Sequence, residues 1–266
     1  MSVFHTTMSA LEDSLTCELI ATRVDARGPV PEEGDFERIV AIARAHKFHQ
    51  VVVRAEGERR LYRVAEVDER GRVSIRDMRL TEVIEGRTPI GAALKLLAEA
   101  PVYYVLVEDR IRKVLTRPDL NKLPVQVWIG TVIAHLEVLM AKAIMRLYPK
   151  DAWMRQMPAG RRELVEHHFQ AMVERDYETE RIDNTSFADK IELLLTAREV
   201  AAVFKQPLAL EDPLVEHLKD VRNQVFHGKA LTNSRDVALL AETMRLAEVW
   251  LYELAAFNRE RKRQAG

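Results

Sequence analysis

The hydrophobic periodicity of the chain changes near residue 124, and no other feature of the sequence constrains the fold as strongly. Before that point, short β-branched runs alternate with stretches whose apolar residues recur at helical spacing; after it, nearly every segment has helical spacing. The stretch RPDLNKLP (117–124) carries two prolines and makes a natural boundary. The sequence therefore predicts an α+β chain, with a mixed α/β domain over 1–124 and an all-helical domain over 125–266.

The first domain shows the order helix–strand–strand twice, at a spacing of roughly 55 residues, which indicates an internal repeat of small α/β units. The first copy comprises a helix over 35–48 and strands over 50–54 and 59–68. The second copy comprises a helix over 89–100 and strands over 102–107 and 111–116, with Thr88 as N-cap and Pro89 as first helical residue.

The hydrophobic pattern of the second domain predicts helices almost throughout, each with an apolar face. The predicted helices are 127–148, 161–176, 187–204, a helix from Asp212-Pro213 to a stop at Gly228, and roughly 235–258.

Charge and cysteine content exclude several classes of protein. Lys+Arg 40 against Asp+Glu 41 give a net charge of -1, so the chain does not grip nucleic acid by bulk charge. Cys17 is the one cysteine, which excludes an intramolecular disulfide and any site with several thiolates. The most apolar window, 125–145, contains charged residues and predicts a buried helix of a soluble protein rather than a membrane span. Residues 1–16 lack the pattern of a signal peptide, so we expect a cytoplasmic protein without membrane contact.

The stretch DVRNQVFHGK (220–229) places Arg222, Asn223 and His227 near the end of a helix. Ideal helix geometry separates Arg222 and His227 by about 140° and about 7.5 Å of rise, so they can border one groove. An arginine fork can hold a scissile phosphate, and an imidazole can act as general base or acid in RNA cleavage. Asn223 could orient that imidazole or bind a phosphate oxygen. The plainer alternative is chance, because arginine and histidine often share a helix.

This arrangement resembles the HEPN superfamily, whose motif is an arginine, four to six residues, and then a histidine. Here Arg222 and His227 have four residues between them, a polar residue follows the arginine, and 134–144 resembles the family's first helix. The resemblance covers roughly 125–258 and implies a helical bundle that forms a homodimer. It further implies a metal-independent endoribonuclease that leaves 2′,3′-cyclic phosphate ends, with Arg222, Asn223 and His227 as catalytic residues and no cofactor for catalysis. A toxin or defence role, with an antitoxin as a further partner, would fit the same resemblance.

The stretch VLTRPDL (114–120) carries Thr116 after a strand and Asp119 at a helix start. An aspartate can accept both hydroxyls of a ribose, and a helix N-terminus favours phosphate. The alternative is structural, because Thr-x-x-Asp before a helix is also a capping pattern.

The tandem units with this Thr-x-x-Asp resemble a CBS-domain pair, and 82–120 matches the second copy. The resemblance implies an adenine nucleotide as regulator, bound by Thr116, Asp119 and Thr88. Two features depart from the family: Lys113 replaces the usual glycine, and the first copy, roughly 14–66, lacks the Thr-x-x-Asp.

The sequence thus predicts an RNA-cleaving homodimer regulated through a nucleotide- or partner-binding CBS-like half. A non-catalytic nucleotide-sensing or dimerisation scaffold is the first alternative. A second alternative is a binding module whose bundle holds the nucleotide while the CBS-like half only dimerises.

Overall fold

The computed structural model describes residues 10, 13–26, 29–55, 62–231 and 236–264, with side chains as far as residue 260. The chain forms two compact units: Met1–Val125 with Thr232–Ala238, and Gln126–Leu231 with Leu239–Gly266. The first contains the sheets and the second consists of helices, so the prediction of a mixed α+β chain is confirmed.

The elements of the sheet-containing unit follow one another in short succession. In chain order they are α1 (Cys17–Ile20), β1 (Thr22–Arg23), α2 (Phe36–His46), β2 (Gln50–Arg54), β3 (Tyr62–Val67), β4 (Val73–Asp77), β5 (Val83–Glu85), α3 (Ile90–Glu99), β6 (Val102–Val107) and β7 (Arg110–Thr116). The helices that follow are α4 (Leu123–Leu147), α5 (Ala159–Val173), α6 (Phe187–Leu195), α7 (Val200–Val203), α8 (Pro213–Phe226) and α9 (Val237–Gln264).

Strands β2, β3 and β4 form an antiparallel three-stranded sheet whose two faces are both covered. Side chains alternate between the faces of a strand, and here both sets are apolar. Val51 and Val53 of β2 pack with Ile39 of α2, whereas Val52 packs against Tyr104 of β6. The Tyr104 hydroxyl also donates to Gln50 Oε1 at 3.1 Å. The sheet therefore lies between α2 and the second sheet of the same unit.

The second sheet has the strand order β1-β7-β6-β5. Strands β5 and β6 are parallel and are joined through α3, while β6 and β7 form an antiparallel pair. The predicted helix–strand–strand order thus occurs twice, as α2-β2-β3 and as α3-β6-β7, and both strand pairs are antiparallel. The sequence prediction missed β1, β4 and β5.

The helical unit is built around α4 and α9. Both helices bury long apolar faces, which on α4 include Trp128, Ile129, Val132, Ile133, Leu136, Met140 and Ile144 and on α9 include Leu240, Met244, Ala247, Trp250 and Leu254. By length and composition α4 could cross a membrane, but half of its most apolar window is buried inside the protein. The core helix of a soluble protein meets the same criteria of length and composition.

Polar contacts connect the shorter helices to this centre. Lys190 of α6, which is 2% exposed, donates from Nζ to Glu137 Oε1 of α4 at 3.0 Å and to the Thr185 carbonyl at 2.8 Å. His217 of α8 lies 2.7 Å from the hydroxyl of Thr243 on α9. These contacts satisfy groups that would be costly to bury alone.

One predicted helix is interrupted, and the bounds of the others differ from the prediction by one to six residues. The helix predicted over 187–204 is interrupted after Leu195: Thr196 is the C-cap residue of α6, and the next helix, α7, begins only at Val200. The helix predicted to start at Pro89, with Thr88 as its N-cap, starts at Ile90, and Pro89 occupies the N-cap position.

Candidate functional site

The C-terminal end of α8 is fixed by a glycine-dependent cap. Gly228 has φ +63, which is the left-handed conformation that glycine adopts without steric cost. Its N–H bonds the Val225 carbonyl at 3.2 Å, and the Lys229 N–H bonds the Gln224 carbonyl at 2.9 Å, the pair of bonds that defines a Schellman motif. The glycine after His227 therefore has a structural reason to be there. The motif also sets the backbone position of His227.

Arg222 is half-buried on α8 and has unused hydrogen-bonding capacity. Its guanidinium carbon lies 4.9 Å from the centre of the Phe226 ring, one helical turn further along. Its Nη1 donates to Asn223 Oδ1 at 3.4 Å, and its buried Nε has no partner among the described residues. No described carboxylate pairs with it, unlike Arg161 and Arg181 of the same unit. An uncompensated guanidinium of this kind is suited to an external anion.

Asn223 and His227 lie on the exposed side of the same helix end. His227 is the C-cap residue, with φ -103 and ψ 8, and its backbone N–H bonds the Asn223 carbonyl at 3.1 Å. Its imidazole makes no hydrogen bond or ion pair with the described part of the chain. The structure thus brings Arg222, Asn223 and His227 to one end of α8, with a guanidinium and an imidazole accessible to solvent.

Helices α8 and α4 pack closely against each other at Gly130 of α4. A Cβ added at Gly130 of α4 would meet Val225 Cγ1 at 3.2 Å, so a glycine at this position lets the two helices approach. Val225 immediately precedes Phe226. The packing that positions the candidate site therefore depends on a small residue on the neighbouring helix.

Thr116 and Asp119 form a buried polar network in the sheet-containing unit. Asp119 is 4% exposed, and its Oδ2 accepts from the Thr116 N–H at 2.7 Å and from the Thr116 hydroxyl at 2.8 Å. Its Oδ1 accepts from the Thr22 hydroxyl at 3.1 Å and lies 2.6 Å from Lys122 Nζ. Both carboxylate oxygens are thus occupied, and the capping box is complete. This geometry favours the capping interpretation of the pair over a ribose contact.

The hydrogen bonds of Thr88 involve neither Thr116 nor Asp119. The Thr88 backbone N–H bonds the Glu85 carbonyl, and its carbonyl accepts from the Cys17 N–H at 2.8 Å. A nearby cleft of about 640 Å³ is lined by Lys113 but by none of the three predicted nucleotide ligands. Its other lining residues are Asp13, Ser14, Thr16, Glu18, Leu19, Arg87 and Pro89.

Lys113 is tethered within its unit. Its Nζ donates to the Glu18 carbonyl at 2.6 Å and lies 3.9 Å from Glu18 Oε1. Lys113 therefore joins β7 to α1 and lines the cleft.

Sequence reasoning overlooked two participants in these sites. The Phe226 ring contacts the guanidinium of Arg222. The spacing of these two residues could have indicated the contact, because residues four apart share a helix face. Thr22 reaches Asp119 across 97 residues, and no local pattern indicates such a contact.

No group of three or more His, Cys, Asp or Glu side chains in the described ranges is arranged to hold a metal ion. Comparisons with protein-family models, with curated proteins and with solved structures found no match for this chain.

Proposed function

We propose that the chain is a HEPN-type endoribonuclease that acts as a homodimer without a catalytic metal. The observation that carries the proposal is the unpaired guanidinium of Arg222 on the same helix end as the exposed imidazole of His227. An RNA phosphate supplies the anion that Arg222 lacks, and His227 supplies the proton transfer.

The reaction follows from these groups. The ribose 2′-oxygen forms a bond to phosphorus as the phosphorus–O5′ bond breaks. One imidazole accepts the 2′-hydroxyl proton, and a second imidazole donates a proton to the leaving O5′. The products are a 2′,3′-cyclic phosphate and a 5′-hydroxyl, and no water is consumed. Arg222 neutralises the charge that gathers on the non-bridging oxygens, and Asn223 orients the phosphate or the imidazole.

Two imidazoles are needed at once, and a second copy of the chain supplies the other. Next to the place where α8 packs on it, helix α4 has an exposed stripe of small apolar side chains at helical spacing. The stripe consists of Val127, Ala134 and Val138. Val127 is 46% exposed and Val138 is 51% exposed. Burial of this stripe against a second copy would bring two α8 ends to one cleft.

We assign regulation of the proposed enzyme to the sheet-containing unit. Its two helix–strand–strand units support a CBS-like pair that responds to an adenine nucleotide or a protein partner. Because Asp119 is saturated by its own contacts and Lys113 is already held by Glu18, the exposed guanidinium of Arg87 in the cleft is the better place for a phosphate. A nucleotide regulates only by binding one dimer geometry more tightly than another.

The test is cleavage of RNA by the His227→Ala variant. General acid–base catalysis contributes about 10²- to 10⁴-fold to a rate, so we expect at least a 100-fold loss with the dimer intact by sedimentation. His168→Ala, which removes an exposed histidine from α5, is the matched control and should cleave like the wild type. Equal activity in His227→Ala would refute the proposal.

A non-catalytic scaffold remains the second candidate, and one observation favours it. Asp220 is exposed on α8, two residues before Arg222, so the free guanidinium could pair with the Asp220 carboxylate of a partner copy across a dimer seam. In that case the purified protein leaves RNA intact, and Asp220→Asn weakens the dimer. For the ribonuclease, Asp220→Asn leaves the dimer unchanged.

A further inference from the structure

Phe226 is an exposed aromatic side chain inside the candidate site. It is the last residue of α8, and 53% of it is exposed. Isolated apolar residues on a surface are common, but Phe226 lies between two groups with a proposed role in the chemistry. Arg222 precedes it by one helical turn and His227 follows it directly.

The Arg222 guanidinium contacts one part of the Phe226 ring, and the rest of the ring is exposed to solvent. The Arg222 guanidinium carbon lies 4.9 Å from the ring centre, in a cation–π contact. In helix geometry, Phe226 lies about 6 Å beyond Arg222 and about 1.5 Å before His227 along the axis. A phosphate held by Arg222 would therefore bring its neighbouring nucleoside beside this ring.

RNA cleavage through the 2′-hydroxyl needs a flexible ribose. The attacking oxygen, the phosphorus and the leaving oxygen must come into line, and the A-form helix keeps them out of line. Bases that have left a helix are commonly stacked on aromatic side chains of the protein. An exposed ring beside the phosphate-binding arginine provides that support.

We infer that Phe226 stacks on the nucleobase next to the scissile phosphate and thereby restricts the substrate to single-stranded RNA. The inference rests on the proposed function, because it assigns a substrate class to the same site. The observation that supports it is that the Arg222 guanidinium, the exposed Phe226 ring and His227 lie next to one another at the end of α8.

The experiment measures binding and cleavage separately. Binding is followed in the His227→Ala background with short single-stranded RNA that carries 2-aminopurine, a base whose fluorescence is quenched by stacking. Phe226→Leu removes the aromatic ring and keeps an apolar side chain, and Phe226→Trp restores a ring. Stacking of one base on an aromatic side chain corresponds to roughly 5- to 150-fold in affinity.

We expect Phe226→Leu to weaken binding by that factor and abolish the quenching, while Phe226→Trp retains both. Full-chain protein with His227 intact should cleave the single strand and leave the matching duplex uncut. Wild-type affinity and quenching in Phe226→Leu, or equal cleavage of duplex and single strand, would overturn the inference. Phe226-dependent quenching without any cleavage would instead refute the ribonuclease proposal and leave the stacking role standing.

Discussion

Replacing Asp119 by alanine separates the two interpretations of the Thr-x-x-Asp segment. The buried carboxylate accepts from the Thr116 N–H, from two threonine hydroxyls and from Lys122. Leaving a buried N–H without its acceptor costs about 1–3 kcal/mol, and loss of a cap costs about 0.5–2 kcal/mol. Lys122 is 41% exposed, so its ion pair adds less than about 1 kcal/mol.

The structure therefore predicts a loss of about 2–4 kcal/mol from the unfolding free energy in Asp119→Ala. For a unit of this size that lowers Tm by about 10 °C. Urea denaturation and calorimetry measure both quantities. Glu37→Ala is the control, because Glu37 is an exposed acid on α2 whose side chain bonds to none of the described residues.

Titration with AMP, ADP and ATP at low temperature, where the variant is folded, completes the test. Capping predicts lower stability with unchanged nucleotide affinity. A variant as stable as wild type that has lost its nucleotide affinity would contradict the capping interpretation and assign Asp119 to a ribose.

Three further predictions follow from buried or paired groups. Burial raises the pKa of the Cys17 thiol to about 12, so Cys17 should react with a disulfide reagent at pH 8 only after urea unfolding; fast labelling of folded protein would contradict this. Glu137→Ala should lower the unfolding free energy by about 3–5 kcal/mol, because it leaves the buried Lys190 ammonium without a counter-charge and with only the Thr185 carbonyl as acceptor, and a loss below 1 kcal/mol in urea denaturation would count against that pairing. Bonds from Arg181 and then Gln170 lower the pKa of Glu166 from 4.5 to about 2, so its contribution to stability is present above pH 4.5 and disappears as the pH falls through about 2. Urea midpoints between pH 2 and 5 should decline less steeply in Glu166→Gln than in wild type, and identical acid profiles would show that the pairing is absent.

Local patterns predicted α8 well because its ends depend on local chemistry. Asp212 accepts from the Leu214 N–H at 2.9 Å and Pro213 occupies the first turn, while Gly228 ends the helix in a conformation that favours glycine. The same local signals placed Arg222, Asn223 and His227 at one helix end. Their accessibility depends on packing and required the structure.

Elements set by tertiary contacts were less predictable. Strand β5 has only three residues and exists through parallel pairing with β6, which lies beyond α3 in the chain. The interruption after α6 carries neither glycine nor proline, so no local signal in the sequence indicates where that helix ends. The Thr22–Asp119 bond joins residues 97 positions apart, so a pattern that looked like a ligand site from the sequence is tied into the unit's own structure.

The most direct test of the ribonuclease proposal is the chemistry of the RNA ends. Purified full-chain protein is incubated with single-stranded RNA in the presence of a chelator, and the products are identified by mass spectrometry. We expect 2′,3′-cyclic phosphate and 5′-hydroxyl ends from wild type and His168→Ala, and uncut RNA from His227→Ala. Intact RNA with wild-type protein, or the same ends from His227→Ala, would refute the assignment of RNA cleavage to His227.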